Sequence, residues 1–184
     1  MVKPNQTYTA ILSAAHQLFL NQGYYNTSIA DIAQVCNLSK ASLYHHIINK
    51  EALLCDIIKR AHDQLNTNVF TPILTLKEDT QTALLHLCDL LNKSCNKNTA
   101  FLLMRLHVEL KTASNPPVQL LEKYFNDWEM LLEKIFSEQV SAAAQRDQID
   151  NTLSLLHGAI TFSVVRSDVK NLDHAKSFIC RLAS

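Results

Sequence analysis

The sequence predicts an all-α protein, and three observations carry that reading. Apolar residues recur at three- and four-residue spacing along nearly the whole chain, the period of helices with one buried face. Only two glycines and four prolines occur in 184 residues, which leaves little material for tight hairpins or glycine-rich phosphate loops. Hydrophobic residues make up 47% of the chain, enough for a substantial core. The expected architecture is a three-helix N-terminal domain over 5–50 and a larger helical domain over 51–184, with about nine helices in all.

The totals exclude several classes. No apolar run approaches the ~20 residues of a membrane span. The N-terminal stretch MVKPNQTYTA lacks the apolar core of a signal peptide. A cytoplasmic protein with no membrane partner is therefore expected. The five cysteines, Cys36, Cys55, Cys88, Cys95 and Cys180, are odd in number and form no paired motif, which fits free thiols in a reducing compartment. Cys88 and Cys95 would share a helix face about 10.5 Å apart along the axis, beyond disulfide reach. A buried thiol behaving as a small hydrophobe is favoured over a redox sensor, which stays as an alternative. Net charge is zero, but Lys3, Lys40 and Lys50 against Asp31 leave residues 1–50 at +2 and the remainder at −2. So few cations imply that any DNA binding relies on neutral donors and helix termini.

Helix one is expected from Thr7 or Thr9, with Ile11, Leu12, Ala15, Leu18 and Phe19 as its apolar stripe. Gly23 is placed to end it in the left-handed conformation, and Tyr24 and Tyr25 are expected to pack in the core. Ile29, Ile32 and Ala33 mark helix two, which Thr27 or Ser28 can cap, and Ser28 with Asp31 has the spacing of a capping box. Cys36-Asn37-Leu38 interrupts the pattern, and asparagine tolerates a left-handed turn. Ser39 then caps a short helix from Lys40 to about His46 with Leu43 and Ile47 turned inward.

Helix, three-residue turn, helix is the plan in which the second helix enters the DNA major groove. The candidate DNA-facing residues are Thr27, Ser28, Ser39, Lys40, Ala41, Ser42, Tyr44, His45 and Lys50. Hydroxyls and ammonium groups suit phosphates and base edges, and the Ala41 methyl suits thymine. The Tyr44 ring can pack in the module while its hydroxyl reaches a phosphate. Lys50 sits at the N-terminus of helix four, where only a nearby anion makes a cation useful. The competing reading is a capped helical hairpin with a solvated polar face, and a Lys50 paired with Glu51.

The segment from Ile11 to Ile57 resembles the DNA-binding module of the TetR family of bacterial repressors. The shared order runs through Ala15, Phe19 and Gly23-Tyr24, then Thr27 and Ile29-Ala30-Asp31-Ile32-Ala33. Leu38-Ser39-Lys40, Leu43-Tyr44, His46, Lys50-Glu51 and Leu53-Leu54 follow. Asn37 and Ala41 stand where the family often has glycine, and Ile47 where it usually has phenylalanine. The resemblance implies a homodimer that binds a near-palindromic DNA operator, with a small-molecule effector in the second domain and no cofactor. It also implies that Lys50 lies near the DNA backbone and that helix four relays effector binding.

Helix four is expected over about Glu51 to Asn66, and Pro72 marks a break or kink in Thr67 to Lys77. Five further helices are expected at roughly 79–95, 98–113, 117–144, 148–167 and 172–183, with Asp79 capping the first and Pro116-Pro117 opening the third. Candidate effector-binding residues are Phe101, Met104, Arg105, His107, Tyr124, Trp128 and Phe162, each of which plain core packing would also explain. Arg105 and Glu109, four apart, suit a mutual ion pair. Leu153, His157, Ile160, Val164, Phe178 and Leu182 are the candidate dimer face, with Gly158 and Ala159 permitting close approach. These stripes could equally be buried inside one chain.

No HExxH, P-loop, paired-carboxylate or nucleophile constellation is present, and adjacent His45 and His46 point in different directions. Neither an enzyme nor a metal site is expected. The main alternative to a DNA-binding regulator is a helical dimeric ligand-binding or scaffold protein without specific DNA binding.

Overall fold

The computed structural model describes residues 4–94, 96–111, 115–137, 141–168 and 170–182, apart from the side chains at 4, 5, 180 and 182. Within them the chain forms ten α-helices and one π-helical turn, with no strand. The order is α1 (Pro4–Gln22), α2 (Ile29–Val35), α3 (Lys40–Tyr44), α4 (Lys50–Leu65), the π-turn (Asn66–Phe70), α5 (Thr71–Thr75) and α6 (Thr80–Ser94). Then come α7 (Lys97–Glu109), α8 (Pro116–Ile135), α9 (Ala142–Arg166) and α10 (Lys170–Leu182). Because α4, the π-turn and α5 are contiguous, these make nine rods, as the periodicity predicts.

Two compact units emerge: Met1–Ala61 with Leu102–Glu122, and His62–Phe101 with Lys123–Ser184. This differs from a single cut at residue 50, since α4 up to Ala61 and the 102–122 segment cluster with the N-terminal helices.

In the first unit α1 packs on α2, and α2 on α3. Ile11, Phe19, Ile32, Leu43, Leu54 and Ile58 are fully buried there. The Tyr8 hydroxyl donates to the Asp56 carboxylate and ties α1 to α4. Helix α1 opens at Pro4, ahead of the expected threonines, because proline's fixed φ suits a first turn.

In the second unit α10 packs on α9 and α6, and α6 on the π-turn and α5. Lys176 bridges to Asp89 at 2.5 Å, and Asn92 donates to Asp173 at 2.9 Å. The break expected at Pro72 is instead a change of winding. Proline has no N–H for the Asn68 carbonyl, and the Thr71 N–H reaches back five residues to the Asn66 carbonyl. The break expected between 144 and 148 comes earlier: α8 ends at Ile135 and α9 opens at Ala142. The Ser141 hydroxyl caps α9 by accepting from the Ala144 N–H at 3.2 Å. The Gln145 side-chain amide donates to the carbonyls of Glu133 and Phe136 at the end of α8, at 3.0 and 3.3 Å.

An aromatic group fills the middle of this unit. Trp128 is buried edge-on to Phe70 at 4.9 Å and to the His157 ring at 5.9 Å, and His157 also meets Phe125 at 5.7 Å. Burial lowers the His157 pKa below its ordinary value. The unfolded chain thus protonates His157 first as pH falls, so stability is full above about pH 6.5 and is lost below it, through the folded value. His157→Phe keeps the ring packing and should flatten the fall in melting temperature between about pH 7 and 5. An unchanged pH profile in thermal denaturation would contradict this assignment.

Candidate nucleic-acid interface

The N-terminal caps form as their spacing predicts. The Ser28 hydroxyl accepts from the Asp31 N–H at 3.2 Å, and the Ser28 N–H donates to the Asp31 carboxylate at 2.7 Å. That backbone hydrogen bond holds the Asp31 carboxyl below its usual range. Asn37 has φ +53°, the left-handed turn between α2 and α3. The Leu38 N–H donates to Ala33 at 2.9 Å and closes α2. Ser39 caps α3 by accepting from the Ser42 N–H at 3.0 Å.

Helix α3 is one and a half turns, shorter than the expected reach to His46. His45 and His46 form a tightened turn in which the His46 N–H donates to Leu43 at 2.8 Å. Leu43 is 0% exposed and Ile47 is buried, so the opposite face is directed outward. Ser28, Ser39, Lys40, Ala41, Tyr44 and His45 are exposed, and Ser42 is half-buried. Tyr44 is 48% exposed, so its ring is less sheltered than expected. Ile48, for which hydrophobic spacing gives no cue, is 82% exposed just beyond. Lys40 is the single lysine or arginine between residues 4 and 49.

Two of the expected DNA-facing groups point elsewhere. Thr27 is 1% exposed, and its hydroxyl donates to the Gly23 carbonyl at 2.7 Å, which corrects its placement on the DNA side. The Lys50 ammonium donates to the carbonyls of Tyr24 and Thr27 at 2.9 and 2.8 Å and lies 4.2 Å from the Tyr24 ring centre. It is therefore engaged internally rather than free for a phosphate. Burial lowers the Lys50 pKa, and the charges of Glu109 and Asp31 oppose that shift. Tyr24 packs on Phe19 at 5.4 Å as expected, whereas Tyr25 is largely exposed.

Residues 11–57 match the family model described as bacterial regulatory proteins, tetR family. Residues 11–57 belong to the tetR family. Over 67 residues the chain is 37% identical to the HTH-type transcriptional regulator UidR of Escherichia coli K12. That alignment covers 36% of this chain and spans 34%, about a third, of UidR's own length. Among solved structures, the MbdR regulator from Azoarcus sp. CIB matches with TM-score 0.82 at 14% identity, covering 95% of this chain and 97% of that one. AibR, solved in complex with isovaleryl coenzyme A and operator DNA, matches with TM-score 0.72 at 21% identity, covering 94% and 97%. The fold shared with these two regulators thus extends over nearly the whole chain, beyond the matched segment.

The expected effector residues do not gather at the cleft of the second unit. That cleft, about 400 Å³, is lined by Asn66, Phe70, Thr71, Leu74, Asp127, Met130, Leu131 and Lys134, none of the seven expected. Tyr124 and Trp128 are buried, while Phe101, Met104 and His107 are half-buried. Arg105 donates to the Leu20 carbonyl at 2.8 Å rather than lining the cleft or pairing with Glu109 as expected. Phe162 lies on an outer groove of α9 and α10 with Leu155, Gly158 and Phe178. The helix irregularity at Pro72 is the one sequence signal near the cleft. At its edge Asp127 accepts from His62 at 2.6 Å and from Lys123 at 2.7 Å. Burial raises the Asp127 pKa, and these hydrogen bonds more than offset it, leaving it below the usual range.

The dimer residues also divide. Phe178 is exposed, and Leu153 and Val164 are half-buried. Ile160 is buried within the chain, and the half-buried His157 packs its ring on Trp128 and Phe125. The side chain of Leu182 lies outside the described residues. Phe162 and Val165 are the exposed large apolar side chains of α9, and Leu155 and Gly158 are half-buried like Leu153 and Val164. Of the cysteines, Cys55 and Cys88 are buried and Cys36 half-buried, with burial pushing the Cys36 thiol up. Cys95 and the Cys180 side chain lie outside the described residues.

The left-handed Asn37 gives a direct stability test. Asn37→Ala should cost about 1–2 kcal/mol, and Asn37→Gly almost none. Thermal unfolding should then show Asn37→Ala lower by at least about 2–4 °C and Asn37→Gly near the parent. Equal melting temperatures for the two variants would contradict the assigned turn.

Proposed function

We propose that this chain is a ligand-responsive transcriptional regulator, a repressor that binds a near-palindromic DNA operator as a homodimer and is released by a small-molecule effector. One observation carries the reading. Within a tetR-family segment, α3 buries Leu43 and turns Lys40, Ala41, Tyr44 and His45 to solvent. A short helix so presented fits the major groove. The proposed division of labour gives 5–50 to DNA and 51–184 to effector and pairing.

The outer groove of half-buried Leu155 and Gly158 with exposed Phe162 and Phe178 supports pairing of two copies through α9 and α10. Arginines flank it: Arg166 lies over Phe162 at 5.1 Å and Arg181 over Phe178 at 4.7 Å. A two-fold dimer would set its reading helices ~34–36 Å apart, or at a longer compatible spacing. The mostly apolar cleft beside the π-turn supports a small-molecule site, with Asn66, Thr71, Asp127 and Lys134 as its polar groups. AibR's structure holds both a ligand and operator DNA, which supports the same pairing of functions here. Release by effector requires it to favour the conformation that no longer fits DNA.

The scaffold reading draws on Lys40 being the lone cation of α3. Selection of bound duplex from a random pool decides between them. The regulator reading expects an inverted repeat, and the scaffold reading no enriched site. Lys40→Ala should then weaken binding to every duplex and reduce the salt slope by ~0.9 for each phosphate that the lysine neutralises. Substitution at Ala41 or Ser42 should change base preference more than overall affinity. Full affinity and slope in Lys40→Ala would place α3 away from the DNA backbone.

A further inference from the structure

The turn that joins α1 to α2 is held by three charged side chains from other parts of the chain. Arg105 Nη1 donates to the carbonyl of Leu20, one of the orphan acceptors at the end of α1, at 2.8 Å. Glu109 Oε1 accepts from the Tyr25 N–H at 2.9 Å. Lys50 Nζ takes the carbonyls of Tyr24 and Thr27. The fit is close. Gly23 sits at φ +88°, and a Cβ there would lie 2.9 Å from Arg105 Nη2 and 3.2 Å from each Glu109 carboxylate oxygen. Arg105 and Glu109 belong to the same compact unit as α1–α3, although about 80 residues away along the chain.

This turn sets where the Ser28 cap begins α2, and α2 carries α3 through the Asn37 turn. A shift at Gly23–Thr27 would therefore move the reading helix without any change in the groups it presents. The second Glu109 oxygen is buried with no hydrogen-bond partner in the structure, a cost that buried carboxylates rarely carry. It places negative charge near the Lys50 ammonium, whose positive form it favours.

We propose that Arg105 and Glu109 are positioning residues for DNA recognition, fixing the α1–α2 turn and through it the aim of α3, with Lys50 as the third member of this clamp. Neither Arg105 nor Glu109 touches DNA. The inference rests on the DNA-binding reading above for its functional half only. The clamp itself is a property of the free protein.

The test uses the full-length chain, Glu109→Ala, Glu109→Gln, Arg105→Lys and Lys50→Ala, each checked for unchanged helix content and mass in solution. Two quantities are read: hydrogen exchange of the Tyr25 amide, and affinity across salt concentrations for the duplex recovered from a random pool. Glu109→Ala should speed Tyr25 exchange and weaken duplex binding roughly ten-fold, the scale of one charged hydrogen bond, with the salt slope unchanged. Glu109→Gln keeps an acceptor for the Tyr25 N–H and should restore most of both, as Arg105→Lys should keep most of the bond to Leu20. Lys50→Ala should weaken binding with the slope also unchanged.

Unchanged Tyr25 exchange in Glu109→Ala overturns the clamp. Faster exchange with full duplex affinity overturns its role in positioning. A slope reduced by ~0.9 per protomer in Lys50→Ala returns Lys50 to the DNA phosphate and removes it from the clamp. A wild-type chain that recovers no duplex overturns the DNA reading and the positioning role with it, and the exchange result then decides the clamp alone.

Discussion

Burial of the Leu43 side chain is the contact on which the candidate interface depends. A helix of five residues cannot sustain itself, because the first turn costs more order than its few hydrogen bonds return. Its orientation must come from packing. Leu43 is wholly enclosed and Ile47 nearly so, which contributes on the order of 2 kcal/mol for each side chain. With about 100° between successive side chains, fixing 43 inward turns 41 and 45 to the opposite side and leaves 44 on the flank, while Lys40 is exposed at the first turn. The polar face follows from the apolar anchor and the Ser39 cap rather than from any attraction of its own.

What that face lacks is charge. One lysine across the whole stretch from 4 to 49 is little electrostatic pull for a polyanion. Hydroxyls, imidazole and backbone donors must do more of the positioning, and these act only at short range and in good alignment. A reader of this kind depends on the rigidity of its support more than a strongly basic one does. The structure shows such support: the capping box at Ser28, the left-handed Asn37 and the charged groups around Gly23–Thr27 each fix one joint.

Much of this was legible in the residues. Ser28 with Asp31, Asn37 and Ser39 are local signals, since each acts on backbone within three residues, and all three occur as their spacing implies. The all-α class and the inward Leu43 followed from period alone. The failures share a cause, which is that polarity does not report direction. Thr27 and Lys50 look like DNA contacts because they are polar and near α3, but their partners are carbonyls of the α1–α2 region. His157 and Ile160 lie on a stripe that marks burial without saying which surface does the burying. The position of the α8–α9 break rests on the Gln145 bonds, which hydrophobic spacing does not record, and the irregularity that Pro72 signals is a change of winding beside the cleft.

The central claim is that the outward side of residues 39–45 is the surface that meets a duplex. The most direct measurement is an amide chemical-shift titration of the full-length protein with double-stranded DNA at low salt. The account predicts that the largest changes fall on Ser39, Lys40, Ala41, Tyr44 and His45, with Ser28 following and the α9 and α10 amides nearly still. Changes concentrated on α9 and α10, or none at Ser39–His45 under saturating duplex, would contradict it.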